Sequence, residues 1–100
     1  MTVKVGFIYI APENNYKEHK AFIDSPVVKL TVVGVQNYKE AQVVAKELVE
    51  EGITGIELCA GFGIEGTALI AKAVGDKAVV GAVRFDHHPD LGNQSGDKIF

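Results

Sequence analysis

The first feature that could do chemistry is a set of three glycines, Gly61, Gly63 and Gly66, in the stretch ELCAGFGIEG (residues 57–66). Their G-x-G-x-x-G spacing, between a predicted strand and a predicted helix, is the context of a dinucleotide-binding turn. Glycines let the backbone approach a phosphate closely, and the free N–H groups at the start of the helix bind it. The motif therefore indicates anion binding.

Other residues in and after this motif leave an alternative open. Phe62 is bulky between the first two glycines, and the carboxylate of Glu65 already complements the dipole of the helix and would repel a phosphate. No second nucleotide-binding half follows, although Asp86 stands where a ribose-binding acid is expected. Two interpretations of the motif therefore stay open: a tight turn that serves packing alone, and a binding site for a small anion. The residues of that site would be Gly61, Phe62, Gly63, Glu65 and Gly66.

A second concentration of polar chemistry is RFDHHPD (residues 84–90). Arg84 ends an apolar strand, and it either forms a buried pair with Glu57 or binds a ligand carboxylate or phosphate in a forked geometry. We expect His88 to line the same ligand site. Asp86 and His87 are residue types that suit a divalent ion, so a metal site stays an alternative to an ordinary loop, although the main prediction has no metal.

Cys59 is the only cysteine, which excludes an internal disulfide. At a strand end before a helix start it could act as a nucleophile, but a small buried filler is the alternative. The catalytic candidates are therefore Cys59, Asp86 and His87. Nothing in the sequence identifies a cofactor.

Apolar and amphipathic segments alternate along the chain. Continuous apolar runs predict strands, and helical spacing between them predicts helices. The predicted strands are Val3–Ile10, Val27–Val35, Ile53–Cys59 and Lys77–Phe85. The predicted helices are Glu13–Ile23, capped by Asn15, then residues 38–51, capped by Asn37, and Ile64–Val74. The stripe Ala41, Val44, Ala45 and Leu48 gives the second helix its buried face.

This βαβαβαβ order predicts an α/β fold with a four-stranded parallel sheet, in the flavodoxin-like order 2-1-3-4, and with helices on both faces. The third and fourth strand ends would then meet, so the glycine turn and RFDH should share one rim. The fourth strand is too apolar for a bare edge. We expect the polar tail, residues 86–100, to pack on that edge or on a partner subunit.

Composition excludes several classes of protein. The chain has 100 residues and a net charge of −3, and 47% of its residues are hydrophobic. This favours one folded domain over residues 1–100. The sequence has no stripe of basic residues of the kind that nucleic-acid-binding proteins usually carry. It also has no apolar run that is long enough to cross a membrane. We predict a cytoplasmic protein that associates with itself.

Nearly the whole chain resembles a family of small uncharacterised prokaryotic proteins, a domain of unknown function. The segments that carry the likeness are FIYIAP, LTVVGV, AKELVEEGITGIELCAGFG and VRFDHHPDLGNQSGD. The resemblance implies a natural length of about 100 residues and no catalytic residue. DHHP alone is also similar to the signature of the DHH phosphoesterases, whose other aspartate motifs are absent here.

Three functional hypotheses follow. The first is a protein that binds an anionic small molecule, a phosphate or a carboxylate, at the carboxyl ends of the strands. The second is a non-catalytic homo-oligomeric assembly module that uses the third predicted helix and the fourth predicted strand. The third is a metal-dependent hydrolase centred on Asp86 and His87.

Overall fold

The computed structural model describes residues 2–100, which form a five-stranded sheet and two α-helices. The strands are β1 (Val3–Ile10), β2 (Lys20–Asp24), β3 (Val28–Val35), β4 (Gly55–Leu58) and β5 (Val79–Ala82). The helices are α1 (Tyr38–Glu50) and α2 (Ile64–Val74), and three short 3-10 helices cover Gly75–Lys77, Pro89–Leu91 and Gly96–Lys98. The predicted α/β class is confirmed.

The sheet is mixed, so the prediction of a four-stranded parallel sheet is wrong. Its order is β2-β3-β1-β4-β5. β1 pairs in parallel with β3 and β4, and β4 pairs in parallel with β5, whereas β2 runs antiparallel to β3. The parallel strands keep the relative order of the predicted 2-1-3-4, but the added antiparallel strand means that the sheet as a whole is not flavodoxin-like.

The added strand replaces the predicted helix Glu13–Ile23. Asn15 does begin a turn, since its side chain accepts the N–H of Lys17 at 3.0 Å and its carbonyl accepts that of His19 at 2.7 Å. The turn ends at His19, and Lys20–Asp24 then pairs with β3. A short isolated helix is only marginally stable, whereas this strand satisfies the backbone groups along the edge of β3.

Helix α1 follows the sequence prediction closely. The side chain of Asn37 accepts the N–H of Glu40 at 2.9 Å, and the carboxylate of Glu40 accepts the N–H of Gln36 at 3.0 Å. These bonds satisfy donors that the start of a helix would otherwise leave free. Gly52, with φ of 90°, follows the end of the helix. The predicted stripe is buried, at Ala41, Val44, Ala45 and Leu48.

Both helices cover the same face of the sheet, so the prediction of helices on both faces is wrong. The connections through α1 and α2 step across the sheet in the same direction, and right-handed crossovers then put both helices on one side. The predicted first helix would have covered the other face, but its segment forms β2. The core lies between this face and the helices, and includes Ile8, Val33, Ile56, Leu58, Val44, Leu48 and Ile70.

Within residues 2–100, neither helix is long and apolar enough to cross a membrane.

Candidate functional site

The glycine turn lies at the carboxyl end of β4 and borders a pocket that also reaches the end of β5. The pocket has a volume of about 250 Å³. It is lined by Phe62, Gly63, Ile64, Thr67, Ala82 and Arg84. The structure therefore brings the glycine turn and Arg84 to one rim, as the order of the parallel strands predicts.

The backbone donors of the glycine turn are taken by the chain itself. The N–H of Gly61 donates to Sγ of Cys59 at 3.4 Å, and the N–H of Phe62 donates to the carbonyl of Cys59 at 3.1 Å. The N–H of Gly63 donates to the hydroxyl of Tyr38 at 3.0 Å. An incoming phosphate would have to displace these partners before the turn could hold it.

A carboxylate from the tail occupies the start of α2. Oδ2 of Asp97 accepts the N–H of Glu65 at 2.9 Å, and Oδ1 accepts the N–H of Gly66 at 2.9 Å. Oδ1 also accepts the hydroxyl of Tyr38 at 2.7 Å. The N-cap residue of α2 is Gly63, which has no side chain to do this. Asp97 thus fills the anion position that the helix start offers.

The ionisation of the two side chains reflects this contact. Burial by itself would raise the pKa of Asp97, but the hydrogen bonds from Tyr38, Glu65 and Gly66 hold it below its ordinary value. Burial raises the pKa of Tyr38 well above its ordinary value, and the neighbouring Asp97 raises it further. The pair is therefore a carboxylate held by a neutral phenol at neutral pH.

Close packing explains two of the glycines without a ligand. A Cβ at Gly63 would lie 2.3 Å from the carboxyl carbon of Asp97. A Cβ at Gly66 would lie 2.3 Å from Cζ of Tyr38. Both positions must lack a side chain for the tail and α1 to approach α2, which supports the packing alternative for the motif.

Arg84 pairs with a different acid from the one predicted. Its Nε and one terminal nitrogen donate to the carboxylate of Asp86 at 3.1 and 3.0 Å, and these bonds lower the pKa of Asp86. Glu57 is exposed on the sheet face opposite the helices. The predicted Arg84–Glu57 pair is therefore wrong, because the two residues lie on opposite faces of the sheet.

The other candidate residues do not converge on one catalytic group. Sγ of Cys59 accepts the N–H of Ile10 at 3.4 Å. Nδ1 of His87 lies 3.3 Å from the carbonyl oxygen of Asn93, and Nδ1 of His88 accepts a backbone N–H at 3.1 Å. Across residues 2–100, no three side chains of the His, Cys, Asp and Glu types gather as metal ligands.

The tail does not pair with β5, which is one of the two edge strands and pairs with β4 alone within residues 2–100. It returns instead to α2, where Gly96–Lys98 packs against the helix. The ring of Phe100 lies 6.4 Å from that of Tyr38, measured between centroids. The tail thus packs on α2 and not on the sheet edge, and the attraction of Asp97 to the start of α2 is the physical reason. Packing of the tail on a partner subunit, the other expectation, stays a prediction.

Comparison with models of protein families gives a match over nearly the whole chain. A family of unknown function, DUF6506, matches residues 3–98. The chain belongs to this family. The resemblance to a small domain of unknown function is therefore confirmed. No curated protein and no solved structure matches the chain.

In this member of the DUF6506 family, Tyr38 and Asp97 are the two side chains that organise the site, and neither was predicted from the sequence. Tyr38 is the first residue of α1, and its ring stacks on Phe62 at 5.6 Å between centroids. An aromatic residue directly after an N-cap was the one available signal. Asp97 gave none, because a single acid in a polar tail has no periodicity to interpret.

Proposed function

We propose that the protein binds a small organic acid in the pocket at the start of α2, with Arg84 recognising the acidic group. The observation that carries the proposal is the lining of that pocket. The apolar side chains of Phe62, Ile64 and Ala82 stand beside one cationic side chain, Arg84. Small-molecule sites typically combine apolar walls with a few polar groups that fix the orientation of the ligand.

The size of the pocket limits the ligand to a small molecule. Its volume of about 250 Å³ lies just under the range of about 300–1,000 Å³ that is usual for drug-sized ligands. The guanidinium of Arg84 is planar and carries donors in a fork that matches a carboxylate or a phosphate. The ligand class that fits is a compact acid with an apolar body.

Asp86 is the group that such a ligand replaces. The side chains of Arg84 and Asp86 are 67% and 50% exposed, so water already competes for their contact. Exposed ion pairs contribute little net free energy. Exchanging the carboxylate of Asp86 for that of a ligand therefore costs little, and the apolar walls add the contacts that favour the ligand.

The start of α2 is a poorer place for the acidic group. Its N–H donors at Glu65 and Gly66 already hold Asp97. A ligand there would leave the tail carboxylate without these partners. We therefore assign the glycine turn a role in shaping the wall at Phe62 and Gly63, and we assign recognition of the acid to Arg84.

The proposal is tested with a thermal-shift and NMR titration screen of small carboxylic acids, benzoate among them. Each acid is paired with its primary amide as a neutral control of the same shape. We expect acids to raise the melting temperature where their amides do not, because only the charged form gains the forked contact. Arg84→Ala should abolish the shift. Asp86→Asn should enlarge it, because the competing carboxylate is gone.

Lys72→Ala is the matched control, since it removes a cation from α2 at a residue that does not line the pocket. This variant should bind as the wild type does. The proposal fails if no acid shifts the wild-type protein, or if the shift survives Arg84→Ala.

A homo-oligomeric assembly module is the second candidate function. The observation that favours it is an exposed apolar side chain on each of the two elements, Leu69 on α2 (40% exposed) and Val79 on β5 (78% exposed). Sedimentation measurements on the full chain address it directly, and a monomer at all concentrations would exclude it.

A further inference from the structure

Among residues 2–100, no helix covers one of the two faces of the sheet, and we call this the open face. It consists of the alternate strand residues that point away from α1 and α2. Ile8 and Val33 are buried under the helices, whereas Phe7 and Val32, their neighbours in the chain, point the other way and are only half-buried. Phe7 and Val32 are partners in the sheet register.

The open face is apolar across its central strands. Val5, Phe7 and Tyr9 of β1 lie beside Leu30 and Val32 of β3. Ile23 of β2, which pairs with Leu30, is 54% exposed. In a sheet that leaves one face to water, the outward positions are normally polar, whereas strands covered on both faces are nearly continuously apolar. These strands have the composition of a sheet with two covered faces.

Three residues show how flat and bare this face is. A Cβ at Gly55 or at Gly81 would meet no atom within 4 Å. Tyr9 lies across β3, because a Cβ at Gly34 would come within 2.5 Å of its ring. Protruding groups that would hinder contact with another flat surface are therefore few.

We propose that a second copy of this chain packs its own open face against this one, so that the two sheets form a sandwich with the helices outside. Stacked sheets lie about 10 Å apart with their inner side chains interdigitated. Apolar surface that is exposed in the monomer would then be buried in the dimer. Contiguous exposed apolar patches of this kind commonly mark interaction sites between proteins.

The size of the open face is close to what a stable dimer needs. Five strands that each occupy about 4.8 Å of the sheet cover a width of about 24 Å, and strands that average about six residues are about 19 Å long. The footprint is then about 450 Å² on each copy, or about 900 Å² on two. Because side chains stand above this plane, the accessible area lost is larger than the footprint and approaches the roughly 1,000 Å² that marks a specific interface.

Charge favours a copy of the same face over a charged partner. The strands place a single charged side chain on this face, Glu57, near the carboxyl end of β4. Glu57 pairs with Phe7 in the sheet register, and its exposed carboxylate must stay in contact with water when two open faces pack. A nucleic acid or an anionic lipid surface would need cations here, and the strands supply none to this face.

The outer edge of β5 is a weaker site for a second copy. β5 has only four residues, Val79–Ala82, so edge-to-edge pairing would form few hydrogen bonds and bury little area. The open face is also separate from the small-molecule pocket, which lies on the helix side at Ala82 and Arg84. Loss of acid binding and loss of the dimer are therefore distinguishable.

The test is sedimentation equilibrium of the full chain over a dilution series, for the wild type and for Gly55→Lys. A lysine at Gly55 meets no atom of the monomer but projects a charge into the open face between Val5 and Val79. We expect a wild-type dimer whose dissociation constant rises by about tenfold or more in the variant, because the new charge would be buried on association.

Val43→Lys is the matched control, since Val43 is exposed on α1, away from the open face. It should dimerise as the wild type does. In the wild type, dilution should also move the methyl NMR signals of Leu30 and Val32 and leave those of Val43 in place, a readout that needs no variant. A wild-type monomer throughout, or a dimer that Gly55→Lys leaves intact, would overturn the proposal.

Discussion

The carboxylate of Asp97 lies 2.7 Å from the hydroxyl oxygen of Tyr38 and 2.9 Å from the backbone nitrogen of Gly66. One acidic group thus joins the start of α1, the start of α2 and the tail. The same carboxylate interacts favourably with the positive end of the dipole of α2, whose own N-cap residue is a glycine. A helix start that could hold an anion from solution instead holds the tail in place.

Asp97→Asn should destabilise the protein at neutral pH by about 0.5–2 kcal/mol, the usual cost of losing a helix cap. The folded pKa of Asp97 is lowered, so its ionised form contributes stability above the unfolded pKa of about 3.9. That contribution is lost as the pH falls through the folded pKa. The difference between variant and wild type in urea unfolding should therefore be largest at neutral pH and shrink in acid.

Asp90→Asn is the control for this measurement, because it makes the same change at an exposed acid of the tail. It should unfold as the wild type does at neutral pH. A difference for Asp97→Asn that stays constant from neutral to acid would contradict the role of the charge.

Tyr38→Phe should cost about 1–3 kcal/mol, because it leaves the buried N–H of Gly63 without its acceptor. The ring itself, and its stacking on Phe62, remain. Urea unfolding measures the loss, and Tyr16→Phe, at a tyrosine that is only partly buried, is the control. In a double-mutant cycle with Asp97→Asn, Tyr38→Phe should show a coupling of about 0.5–3 kcal/mol. Additive effects would mean that the hydrogen bond adds nothing.

Gly66→Ala should lower the melting temperature even though alanine favours helices more than glycine does. The added Cβ would lie 2.3 Å from Cζ of Tyr38, inside any normal contact. Overpacking of this kind typically costs about 1–3 kcal/mol, more than the gain of about 1 kcal/mol from helix propensity. Gly55→Ala, where nothing lies within 4 Å, should be neutral or stabilising. Equal effects of the two changes would argue against close packing at Gly66.

Asn37→Ala should destabilise the protein by about 1 kcal/mol, because it removes the acceptor for the N–H of Glu40. Asn37→Asp keeps an acceptor at the same position and should retain most of the stability. Chemical unfolding of the three proteins side by side is the measurement. An alanine variant as stable as the wild type would mean that Glu40 and solvent compensate.

The sequence was most informative where structure depends on near neighbours. It predicted β1 to the residue and α1 with its cap and buried stripe, because an apolar run and a 3.6-residue period both act within a few residues. The prediction from sequence failed at residues 13–23, where Asn15 begins a turn in the same way as it would begin a helix. The competing partner of that segment, the edge of β3, is not visible in local sequence.

The same division holds for the candidate site. Strand order was enough to bring the glycine turn and Arg84 to one rim, because parallel strands gather their carboxyl ends. The partner of Arg84 was not predictable, because a side-chain pair depends on which face of the sheet each residue takes.

By itself, the sequence determined the α/β class, the order of the parallel strands and the amphipathic face of α1, since all three follow from local patterns and short connections. Only the tertiary structure decided that β2 joins the sheet, that both helices share one face, and that Asp97 caps α2. Each of these depends on contacts between segments far apart in the chain. How much such a contact stabilises the fold depends on which polar groups would otherwise lack a hydrogen-bond partner. These groups lie far away in the chain, so a local sequence pattern does not reveal them.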